Sequence, residues 1–349
     1  MAFIRVTSPH THAVGRTSTV MQTVLLATLP GIAVMVAYFG VGVLTNVLLA
    51  SLFCVAFEAA FLTLRRRPLA FYLGDFSALV TAFLLALALP PYSPWWLLAT
   101  GSFFAIVVAK QLYGGLGYNP FNPAMVGYIV LLISFPLEMS RWPAAVSTLA
   151  DGQSLPSIGA TLQQVFLGNV IDGYSGATPL DVVKQNSSQL LETVYQQAPT
   201  FQHGTFVGAG WEWVNLAFLA GGVFLLYKKV FTWHAPAAML AALGVCAALF
   251  YDGGSSASGG SPLFHWFSGA TMLGAFFIVT DPVSSAVSNR GRLVYGALIG
   301  LLIFVIRHWG NYPDAVAFSV LLLNFAAPFI DYYTKPVTYG HGKRGGNKE

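Results

Sequence analysis

Apolar residues are grouped along the chain in ten runs, which are separated by Pro, Gly and charged positions. The runs cover residues 20–39, 42–64, 76–89, 95–112, 124–137, 213–230, 235–251, 267–280, 293–308 and 315–330. A helix rises about 1.5 Å per residue, and the hydrocarbon core of a bilayer is about 30 Å thick, so a complete crossing needs about 20 residues. The pattern therefore predicts an all-α polytopic membrane protein with about ten transmembrane helices, several of them short.

The runs and the polar stretches between them also predict how the chain is organised. The pattern predicts five regions: a cytoplasmic N-terminus (1–19), a first five-helix unit (20–137), an extracytoplasmic loop (138–212), a second five-helix unit (213–331) and a cytoplasmic tail (332–349). The first apolar run is too long for the hydrophobic segment of a signal peptide and has no convincing cleavage site, so we expect no cleavable signal.

Composition narrows the class of protein further. The chain has 349 residues, of which 56% are hydrophobic and 9% charged, against roughly 25% charged in an ordinary soluble domain. That balance excludes a disordered chain, a nucleic-acid-binding domain and nearly every soluble enzyme. Lipid is therefore an expected partner, and nucleic acid is not.

The positions of Lys and Arg predict the orientation. Of 17 such residues, only Arg141, Lys184 and Arg307 fall on one side of the predicted membrane, and the other 14 fall on the opposite side. Cytoplasmic loops carry the excess of positive charge, so both termini are predicted to be cytoplasmic and residues 138–212 to lie outside. Arg307, near the outer end of the ninth run, is expected to pair with an acidic loop residue.

The two halves of the chain share a short pattern. Phe76-Ser77 is followed by Pro91-Tyr92-Ser93, and Phe267-Ser268 is followed at the same spacing by Pro282-Val283-Ser284, an offset of 191 residues. The same offset carries the first run onto the sixth. Because five is an odd number of helices, two such halves must have opposite orientations, and the sequence predicts a 5+5 inverted repeat.

Paired short segments in equivalent positions of an inverted repeat usually mark its functional centre. Here they are residues 76–89 and 267–280, which lead into Pro90-Pro91 and Asp281-Pro282. The backbone groups that the prolines free must be satisfied by protein, water or ligand. The ordinary alternative is a pair of short helices buried by their neighbours.

Motifs of soluble enzymes are absent from the sequence. There is no P-loop, no HExxH, no GxSxG and no glycine-rich dinucleotide fingerprint, and Cys54 and Cys246 lie singly within apolar runs. We therefore predict neither catalytic side chains nor a metal site.

The long loop contains one notable stretch, Asp172-Gly173-Tyr174-Ser175-Gly176-Ala177-Thr178-Pro179-Leu180. Its glycines permit positive φ, and Pro179 biases Thr178 toward an extended conformation. The Thr178 hydroxyl is thereby expected on an accessible turn. By itself this pattern indicates only a turn that is followed by proline.

With these residues the chain resembles the NqrB/RnfD family, whose members belong to the sodium-pumping NADH:quinone reductase and to the Rnf electron-transport complex. The resemblance rests on Ser175-Gly176-Ala177-Thr178 with Asp172 upstream. It extends to Gly117-Tyr118-Asn119-Pro120-Phe121-Asn122-Pro123-Ala124, Thr280-Asp281-Pro282-Val283-Ser284 and Ala326-Ala327-Pro328-Phe329-Ile330-Asp331. The short N-terminus favours the Rnf member.

The resemblance implies a specific cofactor. FMN would be joined through its phosphate to the Thr178 hydroxyl as a phosphoester, installed by a flavin transferase. Ser175, Gly176 and Ala177 would be recognition and turn positions, and Asp172 the upstream acidic position. A second, non-covalent flavin, riboflavin, is also implied, but no motif locates it.

The resemblance also implies a role and a location. The chain would be a flavoprotein subunit of an ion-translocating NADH/ferredoxin electron-transport complex in the bacterial inner membrane. It would relay electrons coupled to Na⁺ or H⁺ transport, with the other Rnf subunits as partners and no activity alone. The flavin ring performs the redox chemistry, and the protein supplies position and electrostatics.

Three acids lie in or at the ends of predicted spans and are candidates for an ion pathway: Glu58, Asp281 and Asp331. A carboxylate at membrane depth is costly and marks a functional site by default. The alternative is snorkelling, or pairing near a helix end with Arg65, Arg66 or Lys335.

Two other functions stay open from the sequence. One is a stand-alone inverted-repeat transporter or channel in which residues 175–178 form only a turn. The other is a scaffold subunit without a cofactor. Thr178 discriminates among them, because only the redox subunit requires a flavin attachment site.

Overall fold

The computed structural model describes residues 16–149, 153–168, 174–187, 189–253, 255 and 258–335. In this part the chain is helical, without a β-strand; one isolated bridge joins Pro143 and Ser175. The main helices are α1 (Thr17–Phe39), α2 (Gly42–Leu64), α3 (Ser77–Ala88), α4 (Trp95–Gln111), α5 (Pro123–Ser134), α6 (Trp211–Tyr227), α7 (His234–Leu249), α8 (Thr271–Leu273 continued by Gly274–Ile278), α9 (Asn289–Trp309) and α10 (Val316–Thr334).

Four of the described helices, α1, α2, α9 and α10, are long and apolar enough to cross a membrane. Helices α3 to α7 are apolar but shorter. These lengths fit a multi-pass membrane protein, and they follow the short apolar runs of the sequence.

Short helices connect the main ones. Residues 138–212, predicted as loop, contain several of them. The first, Pro136–Ser140, begins just before this region, and the others are Ile158–Leu167, Pro179–Gln185, Leu191–Gln197 and Pro199–Gln202. Two further short helices lie elsewhere: Leu69–Leu73 precedes α3, and Pro262–Phe267 precedes α8. The end of the helical bundle that carries residues 138–212 is called the loop end below.

The main helices pack in a regular set of pairs. Helix α1 lies against α6, α5 against α10, α2 against α3 and α4, and α7 against α9. The α7–α9 contact is close because two glycines one turn apart on α9 face α7: a Cβ at Gly296 would overlap the carbonyl oxygen of Ala235, and one at Gly300 that of Met239. Small residues at this spacing let helix backbones approach in membranes.

Helix α8 does not begin where the apolar run begins. The sequence predicted a continuous run from residue 267, but Pro262–Phe267 ends there and α8 starts only at Thr271. The Asn215 side chain on α6 fills the break: its Nδ2 donates to the carbonyl oxygens of Phe267 (3.1 Å) and Gly269 (3.0 Å), and its Oδ1 accepts from the Met272 N–H (3.1 Å). A broken helix is tolerated at membrane depth when a side chain satisfies the freed backbone groups in this way.

Two helices also depart from α geometry. Residues Phe104–Gln111 of α4 and Gly274–Ile278 of α8 are π-helical. Such segments are rare and occur often at functional sites. The first of them positions a buried charged cluster that is described below.

Candidate functional site

Thr178 is the N-cap of the short helix Pro179–Gln185. Its backbone is extended, with φ −67° and ψ 159°, as the following proline predicts. The Thr178 Oγ1 donates to Oδ2 of Asp181 at 2.6 Å, and the Asp181 N–H donates back to Oγ1 at 3.2 Å. The Thr178 N–H also donates to Oδ2 at 3.2 Å. The two residues therefore form a reciprocal capping box.

The prediction that the Thr178 hydroxyl is accessible was wrong. The residue is only 8% exposed. The cause is the packing of the residues that follow: Leu180 is buried in a small apolar cluster with Val207 and Phe264, and Gly208 packs so closely on Pro179 that a Cβ there would lie 2.6 Å from Cγ of the proline. These contacts draw the turn against the bundle.

The residues before Thr178 are held by a short antiparallel pairing with the backbone of residues 142–144. The Ala144 N–H donates to the carbonyl of Tyr174 at 2.7 Å, and the Gly176 N–H donates to the carbonyl of Trp142 at 2.9 Å, on either side of the Pro143–Ser175 bridge. A Cβ on Gly176 would lie 2.8 Å from Cβ of Ala144. Gly176 is therefore required by this close approach. The Ala177 carbonyl accepts from Oγ1 of Thr200 at 3.3 Å.

Asp172 lies outside the described residues, so its place relative to Thr178 stays a prediction. The other four candidate residues, 175–178, lie together. Residues 175–177 line a surface pocket beside the turn, and Thr178 faces the bundle.

A cavity of about 230 Å³ opens beside Thr178 and reaches inward between the two halves of the chain. Here it is called the loop-end cavity. Its polar lining includes Ser140, Thr178, Asp181 and Asp314, and most of the wall is apolar or aromatic. Wall residues include Met35, Leu87, Met125, Tyr128, Leu132, Met139, Trp142, Trp211, Val214, Phe218, Leu273 and Ile278. The Trp142 and Trp211 rings meet edge to face with centroids 4.9 Å apart.

The helix that carries Thr178 is fixed at its other end by Lys184. The Lys184 Nζ donates to the carbonyl of Arg307 at 2.9 Å, at the C-terminus of α9, where a cation also interacts favourably with the helix dipole. Partial burial lowers the pKa of the Lys184 ammonium. Arg307 itself forms an ion pair with Asp314 at 3.1 Å, which confirms the expected pairing with an acidic loop residue.

A second cavity, of about 250 Å³, lies between the two halves at the opposite end of the bundle and is called the far-end cavity. Its polar lining includes Lys110, Asn119, Asn122, Asp281 and Arg292. The Nδ2 of Asn119 donates to the Phe121 carbonyl at 3.0 Å, but its buried Oδ1 has no hydrogen-bond partner among the described residues.

Glu58 pairs with Lys110, not with Arg65 or Arg66, the helix-end alternative that the sequence left open. Its carboxylate accepts from Lys110 Nζ at 2.7 and 3.0 Å and from Gln111 Nε2 at 2.7 Å, whereas the nearby Arg65 donates to a backbone carbonyl instead. Lys110 also donates to Oγ of Ser77 at 2.7 Å. Glu58 and Lys110 are each about 2% exposed, so this is a buried ion pair.

Sequence reasoning placed Lys110 among the cytoplasmic cations and so missed this pair. A signal was present, because Lys110 falls inside the fourth apolar run, and a lysine within a span usually has a partner. The π-helical end of α4 brings Lys110 and Gln111, which are adjacent in sequence, onto one carboxylate.

The other two acids are used differently. The Asp281 carboxylate accepts from Ser284 Oγ at 2.6 Å and from the Val283 N–H at 3.2 Å, and it lines the far-end cavity. Asp331 accepts from the backbone N–H groups of Val287 at 3.0 Å and Ser288 at 3.3 Å, just before α9 begins. Among the described residues Asp331 does not line that cavity, so its place indicates a role in fixing α9 to α10.

Comparison with known proteins places these features in a wider group. The model of the NQR2, RnfD, RnfE family matches residues 4–340. The chain is 62% identical to a protein of Cellvibrio japonicus over 98% of this chain and 96% of that one. It is 56% identical to a protein of Pseudomonas aeruginosa, over 98% and 97%, and 49% identical to one of Escherichia fergusonii, over 98% and 100%. Each of the three is described as the D-type subunit of an ion-translocating oxidoreductase complex.

Proposed function

Because the chain belongs to the NQR2, RnfD, RnfE family, we propose that it is a membrane flavoprotein subunit of an ion-translocating oxidoreductase complex. It carries FMN on Thr178 through a phosphoester and passes electrons between other subunits. The observation that carries the proposal is the position of Thr178 in the lining of an aromatic-walled cavity between the two halves.

The residues around Thr178 fit such a group. FMN has a flat aromatic ring and a phosphate-bearing chain, and pockets for cofactors of this kind combine an apolar wall with a few placed polar groups. Thr178 supplies the anchoring oxygen, and Trp142 and Trp211 supply aromatic surface in the cavity beside it. When bound, the flavin supplies the redox chemistry. Asp172 and residues 175–177 serve recognition by a flavin transferase.

The proposed membrane arrangement is ten spans in a 5+5 inverted repeat. Two observations support it. Each main helix of the second half begins one to three residues after the position obtained by moving its first-half counterpart by 191. The pairs α1 with α6 and α5 with α10, which join equivalent helices, are both in contact, as expected around a two-fold axis.

The proposed orientation has both termini in the cytoplasm and Thr178 outside the bacterial inner membrane. It rests on the distribution of Lys and Arg, of which only Arg141, Lys184 and Arg307 fall on the Thr178 side. The far-end cavity then opens toward the cytoplasm.

Riboflavin is proposed as the occupant of the far-end cavity. Its ring and polyol chain need hydrogen-bonding groups beside an apolar surface, and the unpaired Oδ1 of Asn119 and the side chains of Asn122 and Asp281 provide them. Transport of Na⁺ or H⁺ is part of the same proposal. Asp281 is the stronger of the acid candidates for it, because Glu58 is already neutralised by Lys110.

The proposal is tested by measuring covalently bound flavin on the isolated chain. Wild-type protein produced with a flavin transferase is expected to show an FMN mass adduct and yellow-green fluorescence in a denaturing gel. Thr178→Val removes the accepting hydroxyl at nearly constant volume and is expected to lose both signals while still inserting into the membrane.

The matched control is Thr161→Val in the same loop, a buried threonine whose hydroxyl donates to the Ser157 carbonyl at 2.9 Å. This variant should keep both signals. A wild-type chain without the adduct would contradict the redox proposal and favour the alternative of a stand-alone transporter, for which the two cavities at opposite ends of the bundle are the supporting observation.

A further inference from the structure

The contact between Thr178 and Asp181 is shorter and more specific than helix capping requires. A capping box needs only that the acid accept from the N-cap backbone N–H and that the threonine oxygen accept from the N3 backbone N–H. Here the carboxylate also receives the hydroxyl hydrogen, at an Oγ1–Oδ2 distance of 2.6 Å. That distance is typical of a charge-assisted bond between a hydroxyl and an ionised carboxylate.

We propose that Asp181 is the proton acceptor that this chain supplies for its own flavin attachment. The inference rests on the proposed function, since it concerns the reaction that loads Thr178. An alcohol is a weak nucleophile until a base removes its proton, and a base must lie within about 2.6–3.2 Å of the group it deprotonates. Asp181 is at that distance, and it orients the hydroxyl toward itself.

The reaction balances with a flavin adenine dinucleotide as donor. Oγ1 of Thr178 attacks the phosphorus of the FMN half, the bond to the bridging oxygen of the pyrophosphate breaks, and AMP leaves with the electron pair. The hydroxyl proton passes to Oδ2 of Asp181, and nothing is oxidised or reduced. In protein kinases an aspartate accepts the proton of the substrate hydroxyl in the same way.

The contact is local, and this matters for access. Thr178 is 8% exposed in the folded chain, so a transferase must act while residues 174–187 are away from the bundle. Asp181 is three residues from Thr178 and both belong to one helical turn. The Thr178–Asp181 contact thus needs no other segment, whereas the contacts of Leu180 and Lys184 join this helix to other parts of the chain.

Among the described residues, the Asp181 carboxylate is the only side chain that forms a hydrogen bond with the Thr178 hydroxyl. Asp181 also lines the loop-end cavity with Thr178, so one acid touches both the reacting oxygen and the space beside it.

The experiment measures the rate at which full-length chain takes up flavin while it is synthesised in a cell-free system with lipid vesicles, flavin adenine dinucleotide and purified transferase, by in-gel fluorescence and intact mass. Asp181→Asn keeps an oxygen that accepts from the Thr178 N–H but is not a base. We expect its initial rate to fall about 100-fold or more, within the range that a positioned base contributes. Asp181→Glu retains both the cap and the base and should recover most of the rate.

The dependence of the rate on flavin adenine dinucleotide concentration separates this role from a structural one. The same transferase acts on both chains, so a difference between them belongs to residue 181. Asp181→Asn is expected to lower the maximal rate while leaving the concentration for half-maximal rate unchanged. Thermal unfolding of each variant checks that the chain remains folded.

Two results have distinct meanings. If wild-type chain takes up no flavin, the proposed function itself fails. If wild-type chain is loaded and Asp181→Asn is loaded within about twofold of the same rate, only the role of Asp181 is overturned.

Discussion

Replacing Lys110 by alanine is expected to lower the free energy of unfolding by about 3–5 kcal/mol, the usual cost of leaving one partner of a buried ion pair alone. The Glu58 carboxylate would keep only the Gln111 amide as a partner, while it stays about 2% exposed. Thermal or denaturant unfolding in detergent, followed by circular dichroism, measures the change.

The matched control is Lys228→Ala, which removes an exposed lysine at the end of α6 and should change stability by less than about 0.5 kcal/mol. The double variant Glu58→Leu with Lys110→Met should recover most of the loss, because apolar pairs of similar volume often replace buried ion pairs without cost. A single Lys110 variant within about 1 kcal/mol of wild type would show that the pair is not buried as described.

The double variant also tests function apart from stability. If it folds, binds its partner subunits and supports coupled transport at the wild-type rate, the Glu58–Lys110 pair has only a structural role. If it folds and coupling is lost, the pair participates in ion transfer. Coupled transport is measured with the assembled complex in vesicles.

Gly300→Ala is expected to destabilise the protein by about 1–3 kcal/mol, the usual cost of an added group in a well-packed contact. The new Cβ would overlap the Met239 carbonyl oxygen and lie 3.1 Å from Cβ of Ala242. Backbone atoms of α7 cannot rotate away as a side chain can, so α9 must move. Gly300→Leu should be worse and should reduce the yield of folded protein.

Gly159→Ala provides the control for this substitution. Gly159 lies in the helix Ile158–Leu167, and a Cβ there meets no atom within 4 Å. Alanine has the higher helix propensity, so this change should be neutral or mildly stabilising. Equal effects of the two variants on the unfolding midpoint would contradict the close α7–α9 contact.

Much of the fold was predictable because each membrane helix corresponds to a run of apolar residues in the sequence. The second run was predicted at residues 42–64, and α2 occupies Gly42–Leu64. The start of α8 was predicted poorly. The hydropathy pattern shows only that residues 268–270 are apolar or small. The break in the helix there depends on Asn215, which is more than 50 positions away in sequence.

The candidate site was predictable where the signal is local. Pro179 predicts the extended backbone of Thr178, and the structure confirms it. The burial of Thr178 was not predictable, because it depends on Val207, Gly208 and Phe264, which come from two other segments. The same holds for Lys110: its partner Glu58 is on another helix, and only packing brings the two together.

The wall between the two cavities has a consequence for charge movement. Ala124 and Met125 are consecutive residues of α5, yet they line different cavities, and so do Phe277 and Ile278 of α8. At these positions one helix separates the two cavities, and the four side chains there are apolar. A cation passing these four residues would have to shed its water without a ligand in exchange, which is costly. With a flavin in each cavity, as proposed above, this apolar separation would oppose the passage of ions between the two flavin sites.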